Sequence, residues 1–194
     1  MSINSKYCKA VLFSYYRFTY QVGYIASECG QFNSDMLLVD KDSLIEVEIK
    51  TSFADFKNDF KKDKHVIFNR SLKENYIKMG LDKKQHLFKP YKKRYGRDHK
   101  LVRLFKIDMA FIPNKFYFAV PTKLVPRCSE FLKNNYPQYG LIEILEEVMH
   151  WEKRAKVIRK AKLLHNRKAH SVTKKYIVNR MSSELANLWQ KRIK

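Results

Sequence analysis

The sequence predicts an α/β or α+β domain with a mixed sheet, followed by a basic helical tail. Three observations carry that prediction. Short strand-like segments alternate with helical ones along the chain. One of them, Leu44–Lys50 (LIEVEIK), alternates between apolar and polar residues from Ile45 onwards. The third is composition: 194 residues, 45% of them hydrophobic and 14% aromatic, suffice for a packed core, which excludes wholesale disorder. Five glycines and five prolines are too few for collagen-like or low-complexity chains.

Residues 5–17 (SKYCKAVLFSYYR) are apolar at nearly every turn and predict a largely buried first helix. Tyr20–Glu28 is rich in Tyr, Val and Ile, and its second half predicts a strand. Gly30–Ser34 is turn chemistry. Asp35–Val39 predicts a short strand closed by an Asp40–Ser43 hairpin turn into Leu44–Lys50. On that last strand Ile45, Val47 and Ile49 share one face, and Leu44, Glu46, Glu48 and Lys50 share the other. Phe53–Phe68 reads as one amphipathic helix with a cationic outer face. Residues 71–106 hold twelve Lys/Arg against three acids with weak periodicity, a long basic insertion. Lys115–Val120 predicts a strand stopped by Pro121, Val125–Tyr136 a helix opened near Pro126, and Tyr139–Leu145 the last strand. From Trp151 the chain reads as helical, broken near 165–170 and resuming over 172–192. The expected organisation is a core over 1–149, carrying the 71–106 insertion, and a helical tail over 150–194.

Charge is distributed unevenly. The formal net charge is +21, but residues 1–50 are at −1, residues 51–149 at +10 and residues 150–194 at +12. Such an excess favours polyanions, because each neutralised phosphate releases condensed counterions. Against that background Glu28, Asp35, Asp40, Asp42, Glu46 and Glu48 gather in the near-neutral first quarter. Carboxylates so concentrated suggest a place that holds a divalent metal beside a phosphate backbone; the alternative is a solvated acidic face. Cys8, Cys29 and Cys128 are odd in number and far apart, which argues against a disulfide framework and a zinc site. No apolar run approaches the ~20 residues of a membrane span, and the N-terminus lacks the layout of a secretory signal. A cytoplasmic protein is expected.

Glu48 and Lys50, two apart on a strand, project from one face about 7 Å apart. A short turn brings Asp35 beside them. Two carboxylates so placed suit Mg²⁺ or Mn²⁺, hard ions that take oxygen ligands and keep waters. The adjacent ammonium can position an attacking water and stabilise developing phosphoryl charge. The bare acid-x-Lys pattern occurs five times in the chain, but only Glu48-Ile49-Lys50 lies on a convincing strand after a strand opened by Asp. The alternative is a surface cross-strand salt bridge.

Ser34-Asp35-Met-Leu-Leu-Val followed by Glu46-Val-Glu48-Ile-Lys50-Thr51-Ser52 resembles the PD-(D/E)XK nuclease superfamily. Ala54-Asp55-Phe56 through Asp59 to Lys64-His65, and Phe116-Tyr-Phe-Ala-Val-Pro121, look like its MmcB-like DNA-repair and phage-nuclease branch. The likeness covers roughly residues 24–145; Ser34 stands where the motif's literal proline would be. It implies a restriction-endonuclease-like mixed sheet flanked by helices and a prokaryotic or viral origin. It further implies that Asp35 and Glu48 ligate Mg²⁺ or Mn²⁺ with the Ile49 carbonyl, that Lys50 is catalytic and that Glu28 is an auxiliary acid.

Thr51, Ser52 and the N-terminus of the following helix offer hydroxyl and N–H groups to phosphate. Lys62 and Lys64 are candidate phosphate contacts, set against a charged outer helix face that would also carry Asp55, Asp59 and His65. Glu46 shares the face of Glu48 and reads either as an alternate or supporting ligand or, the favoured reading, as a solvated strand residue. In the tail, Arg154, Arg159 and Lys160 are candidate backbone contacts, because +12 in 45 residues exceeds what solubility needs. The expected function is a metal-dependent deoxyribonuclease of DNA repair, recombination or phage DNA metabolism, with duplex or branched DNA as partner. No membrane association is expected and a homodimer is allowed. The alternatives are a non-catalytic DNA- or RNA-binding module on the same fold and an RNA-directed enzyme.

Overall fold

The structure is a computed structural model that describes residues 3–65, 67–68, 85–92, 100–107, 109–146 and 153–193. The rest of the basic insertion, with Trp151, lies outside the described residues. Asn4 caps α1 (Ser5–Ser14) by accepting the Tyr7 N–H, and the chain runs on through one π-helical turn at Tyr15–Thr19. Then come β1 (Tyr24–Cys29), β2 (Ser34–Asp40) and β3 (Ser43–Ile49), followed by α2 (Phe53–Asp59). β4 (Gln85–Lys92) and β5 (Lys100–Ile107) precede β6 (Lys115–Pro121). The chain closes with α3 (Val125–Asn135), β7 (Gly140–Ile144), β8 (Ala155–Arg159) and α4 (Ser171–Ile193).

Six strands form one sheet in the order β1-β2-β3-β6-β7-β8. Its centre, β3-β6-β7, is parallel and its flanks are antiparallel. Helices cover both faces, so the fold is a mixed α+β sandwich around one sheet. On one face Cys8, Val11 and Leu12 of α1 bury against Ile45, Val47 and Ile49 of β3 and against Tyr117, Ala119 and Ile142. On the other, Phe56 of α2 and Cys128 and Leu132 of α3 pack on Phe116, Phe118, Val120 and Leu141. Farther along that face α4 lays Ile177 against Ala26, Leu37, Val39 and Leu44. The alternation of Leu44–Lys50 therefore divides two cores, and its polar side is also covered.

Three expectations need correction. Residues 155–159 are not helical: they form β8, which pairs with β7, so β7 is not the last strand. Ala155 and Ile158, three apart, mimic helical spacing, but an open strand edge on β7 supplies backbone partners that a solvated helix would not need. Phe53–Phe68 is not one helix. α2 ends at Asp59, the Lys61 and Lys62 N–H groups bond three residues back to Asn58 and Asp59, and helix resumes at residue 63. The basic insertion contains an antiparallel two-stranded sheet, β4–β5, where weak periodicity predicts none.

Candidate active site

Two elements set the site. The β2–β3 hairpin turns on Lys41 and Asp42, with Lys41 in the left-handed region at φ 55°. Its register pairs Met36 with Val47, which carries Asp35 opposite Glu48 at the open end of the ladder. There the Ile49 N–H, beyond its last β2 partner, donates to Asp35 Oδ2 at 2.8 Å. A strand residue's N–H and C=O face the same side, so the Ile49 carbonyl is also turned towards Asp35. On the other flank, Lys50 N–H donates to the Ala119 carbonyl of β6, which fixes Lys50 at the end of the parallel pair.

The second element is the turn after α2. By bending the chain at 60–62 it brings Lys64 and His65 back over β3. Lys64 Nζ lies 2.6 Å from Glu48 Oε1 and 3.0 Å from Glu46 Oε1. Lys50 Nζ lies 3.1 Å from Glu48 Oε2 and 2.8 Å from Asp59 Oδ1, and Lys62 Nζ reaches Asp59 Oδ1 at 2.5 Å. Three carboxylates thus face three ammoniums and their charges cancel. Phe56, Phe60, Phe116, Phe118, Tyr136 and Tyr139 seal the network from behind, with Phe60 stacked on Tyr136 at 4.2 Å between centroids. Glu46, Glu48, Lys50, Asp59, Lys64 and His65 are all buried. Asp35 and Lys62, with 22% and 51% of their side chains exposed, form the open side.

The electrostatics follow from this burial. Desolvation raises the Asp35 carboxyl, and the negative charge of Glu48 raises it further against Ile49 N–H, Lys50 and Lys9. Desolvation likewise raises Glu46, opposed by Lys64. Desolvation would lower Lys50, but Glu48 and Asp59 outweigh it and hold the ammonium charged. The same contest, decided by Glu46, Glu48 and Asp59, raises Lys64. Burial opposes ionisation of Asp59, yet its hydrogen bond to His65 and the charges of Lys64, Lys50 and Lys62 push it far down. Desolvation lowers His65, which therefore stays neutral: Nε2 donates to Asp59 Oδ2 at 2.8 Å and Nδ1 accepts from the Tyr139 hydroxyl at 3.0 Å.

The structure brings Asp35, Glu48, Ile49 and Lys50 together at one end of the sheet. Glu28 sits at the end of β1 with φ 47°, between residues paired with Met36 and Ser34, hence across from Asp35. Lys9 of α1 ion-pairs with Glu28 and lies 3.9 Å from Asp35 Oδ1, so it bridges the two acids. Ser52 is the N-cap of α2 and its Oγ accepts the Asp55 N–H; Thr51 is half-buried beside it. Lys64 is not on an outer face: it is buried with Asp59 and His65, and Glu46 is not solvated. The tail cations separate. Arg154, which donates to the Tyr7 hydroxyl at 3.2 Å, precedes Ala155 at the same sheet end as Ile49. Arg159 ends β8 and Lys160 follows it; through Leu141 and Phe118 Arg159 is in register with Glu48, three strands away, and it donates to the Pro137 carbonyl at 2.8 Å.

Lys9 is a member that sequence reasoning passed over, and Asp59 and His65 are members that it assigned to a charged outer helix face. For Asp59 a signal existed, since it stands three residues after the buried Phe56 and shares its helix face. A divalent cation is compatible with the open side: two mutually repelling carboxylates and a backbone carbonyl are the oxygen donors that Mg²⁺ or Mn²⁺ takes alongside water and phosphate. Among the described residues, no three His, Cys, Asp or Glu side chains form a ready-made metal cluster.

No family model matches the chain, and no curated protein does. A solved protein of unknown function from Silicibacter pomeroyi is similar at TM-score 0.47 and 14% identity, over 98% of this chain and 92% of that one.

Proposed function

We propose that the chain is a metal-dependent deoxyribonuclease that hydrolyses DNA phosphodiester bonds with Mg²⁺ or Mn²⁺. The observation that carries the reading is the register-enforced meeting of Asp35 and Glu48 around the Ile49 amide, with Lys50 held charged beside them. Asp35, Glu48 and the Ile49 carbonyl would hold the cation. When bound, such an ion lowers the pKa of a water and neutralises charge on the phosphoryl oxygens. Lys50, fixed between Glu48 and Asp59, directs a cation towards the scissile phosphate and orients the attacking water. Lys64 and Asp59 hold Glu48 and Lys50 in place. Lys62, on the open side, meets the phosphate backbone.

The test is incubation with supercoiled plasmid, linear duplex and single strands in Mg²⁺, Mn²⁺ or EDTA. Asp35→Asn retains an oxygen for the Ile49 N–H but removes the charge, so it should fold, bind DNA and fail to cut. Mn²⁺ should also raise the wild-type Tm and leave that of Asp35→Asn unmoved. A second reading, a non-catalytic nucleic-acid-binding module, is favoured by the engagement of both Glu48 oxygens by Lys50 and Lys64. Tight, salt-sensitive binding without metal-dependent cutting of any substrate would select it.

A further inference from the structure

Glu28 and Asp35 face each other across the β1–β2 ladder, since the pairs on either side of them are Ser27 with Met36 and Cys29 with Ser34. Like charges directly opposite each other in an antiparallel pair are unfavourable. Glu28 is also held in the left-handed region at φ 47°, a conformation that a residue other than glycine keeps only where its surroundings impose it. Lys9 offsets the repulsion. Its helix α1 is anchored by Cys8, Val11 and Leu12, all buried on the sheet, so core packing delivers the ammonium to the two acids. There it ion-pairs with Glu28 and lies 3.9 Å from Asp35 Oδ1.

The two oxygens of Asp35 have different neighbours. Oδ2 accepts the Ile49 N–H at 2.8 Å, and Oδ1 is turned to Lys9. Among the described residues, Lys9 supplies the ammonium within 4 Å of Asp35. Lys50 and Lys64, which hold the two oxygens of Glu48, are buried and tied to Asp59 and Glu46 as well. Neither can leave without uncovering a buried carboxylate. Lys9 differs: 22% of its side chain is exposed and its partner Glu28 is at the surface with 43% exposed, so its departure uncovers no buried charge. A divalent ion on Asp35 and this ammonium repel each other. Even at the dielectric of water, a double and a single charge about 6 Å apart change an affinity about tenfold. We infer that Lys9 competes with the divalent cation for Asp35 Oδ1, so that the ion binds by displacing the ammonium and Lys9 sets how tightly it is held. This rests on the reading of Asp35 as a cation ligand and not on cutting.

The experiment titrates the full chain with Mn²⁺ alone, without DNA, by isothermal calorimetry. Lys9→Met keeps a long unbranched side chain that suits a helix and removes the charge, so it should bind Mn²⁺ about tenfold more tightly. Lys9→Gln should do the same, and Lys9→Arg should stay close to wild type. Lys6→Met, which removes an exposed cation one turn earlier on α1, should also stay close to wild type. Adding Asp35→Asn to Lys9→Met should abolish the gain. In EDTA the Tm of Lys9→Met should fall, because Glu28 and Asp35 are left facing each other, and Mn²⁺ should raise it by more than it raises that of wild type. Unchanged Mn²⁺ affinity in both Lys9→Met and Lys9→Gln overturns the inference. So does an equal gain in Lys6→Met, which would assign the effect to net charge, and so does the lack of Mn²⁺ binding in every chain. A wild-type chain that cuts DNA with Mg²⁺ while the Lys9 variants bind Mn²⁺ as it does overturns this inference alone. A gain that needs Asp35, in a chain that never cuts, sustains the inference and overturns the nuclease reading.

Discussion

Lys64 shows how much the network depends on single side chains. It is buried over the Phe116 ring and holds Glu46 and Glu48 at once. Removing one member of a buried pair leaves an uncompensated charge and costs about 3–5 kcal/mol. Lys64→Met should therefore lower unfolding free energy in urea by that amount at pH 7, and adding Glu46→Gln should restore part of it. A drop within about 0.5 kcal/mol, the usual range for surface substitutions, would show that the ammonium is dispensable. The pH dependence has a definite sign. His65 and His165 are both lowered, chiefly by burial, so the unfolded chain binds their protons more readily, near pH 6.5. Stability should fall as pH drops below about 6.5, and His65→Gln should make that fall shallower. Asp59, also lowered, contributes stability above the unfolded carboxyl range that is lost in acid. Asp35 and Glu46, raised by burial, act oppositely: their contribution is present in acid and lost as pH rises through their folded values. The difference between wild type and His65→Gln in urea midpoint from pH 7.5 to 5.5 reads the His65 contribution.

Among the elements, β7 depends on a close approach. A Cβ on Gly140 would meet the Tyr117 ring at 2.2 Å and the Ala161 backbone nitrogen at 2.9 Å. Both neighbours are seated, Tyr117 opposite Gly140 in the β6–β7 ladder and Ala161 just after β8. Gly140→Ala should cost about 1–3 kcal/mol as overpacking, read as a lower urea midpoint with unchanged m. The same elements explain what was legible. Asp35, Glu48 and Lys50 could be placed by counting, because a two-residue turn fixes the hairpin register and strand period fixes the faces. Asp59, Lys64 and His65 could not, because the turn at 60–62 changes which side of the helical segment faces the sheet. Local charge pattern assigns such residues to solvent, whereas tertiary packing buries them as partners of Glu46 and Glu48. β8 was hidden for a related reason: KRAKVIRKAK has too few apolar residues to separate period 2 from period 3.6, and only the β7 edge decides. Restriction-endonuclease-like topology in its finer sense rests on the motif, while the mixed six-stranded sheet is plain in the structure.

At the scale of the whole molecule, the buried network is neutral, so the +21 charge resides outside it. Much of that charge lies after residue 150, but those residues are also part of the fold. β8 completes the sheet beside β7, Leu164 is buried with its N–H on the Asn114 carbonyl, and Ile177 of α4 covers β1 and β2. Asp42, in the β2–β3 turn, holds Lys168 and Lys174 at 3.0 and 3.2 Å, tying the start of α4 to the hairpin that carries Asp35. Cutting the chain at 150 would uncover Ala26, Leu37, Val39 and Leu44 and leave β7 as a bare edge. The truncated chain should bind a hydrophobic dye and lose its cooperative urea transition, and the proposed DNA binding should go with the fold. The contribution of tail charge is therefore measured by substitution: Lys160, Lys162 and Lys175 are exposed, and changing all three to Gln keeps the core intact. If they meet phosphate, the salt slope of duplex binding becomes shallower by roughly 0.9 for each phosphate no longer neutralised. A truncated chain that still unfolded cooperatively would instead detach β8 and α4 from the folding unit, and the hairpin would then have to hold Asp35 and Glu48 without them.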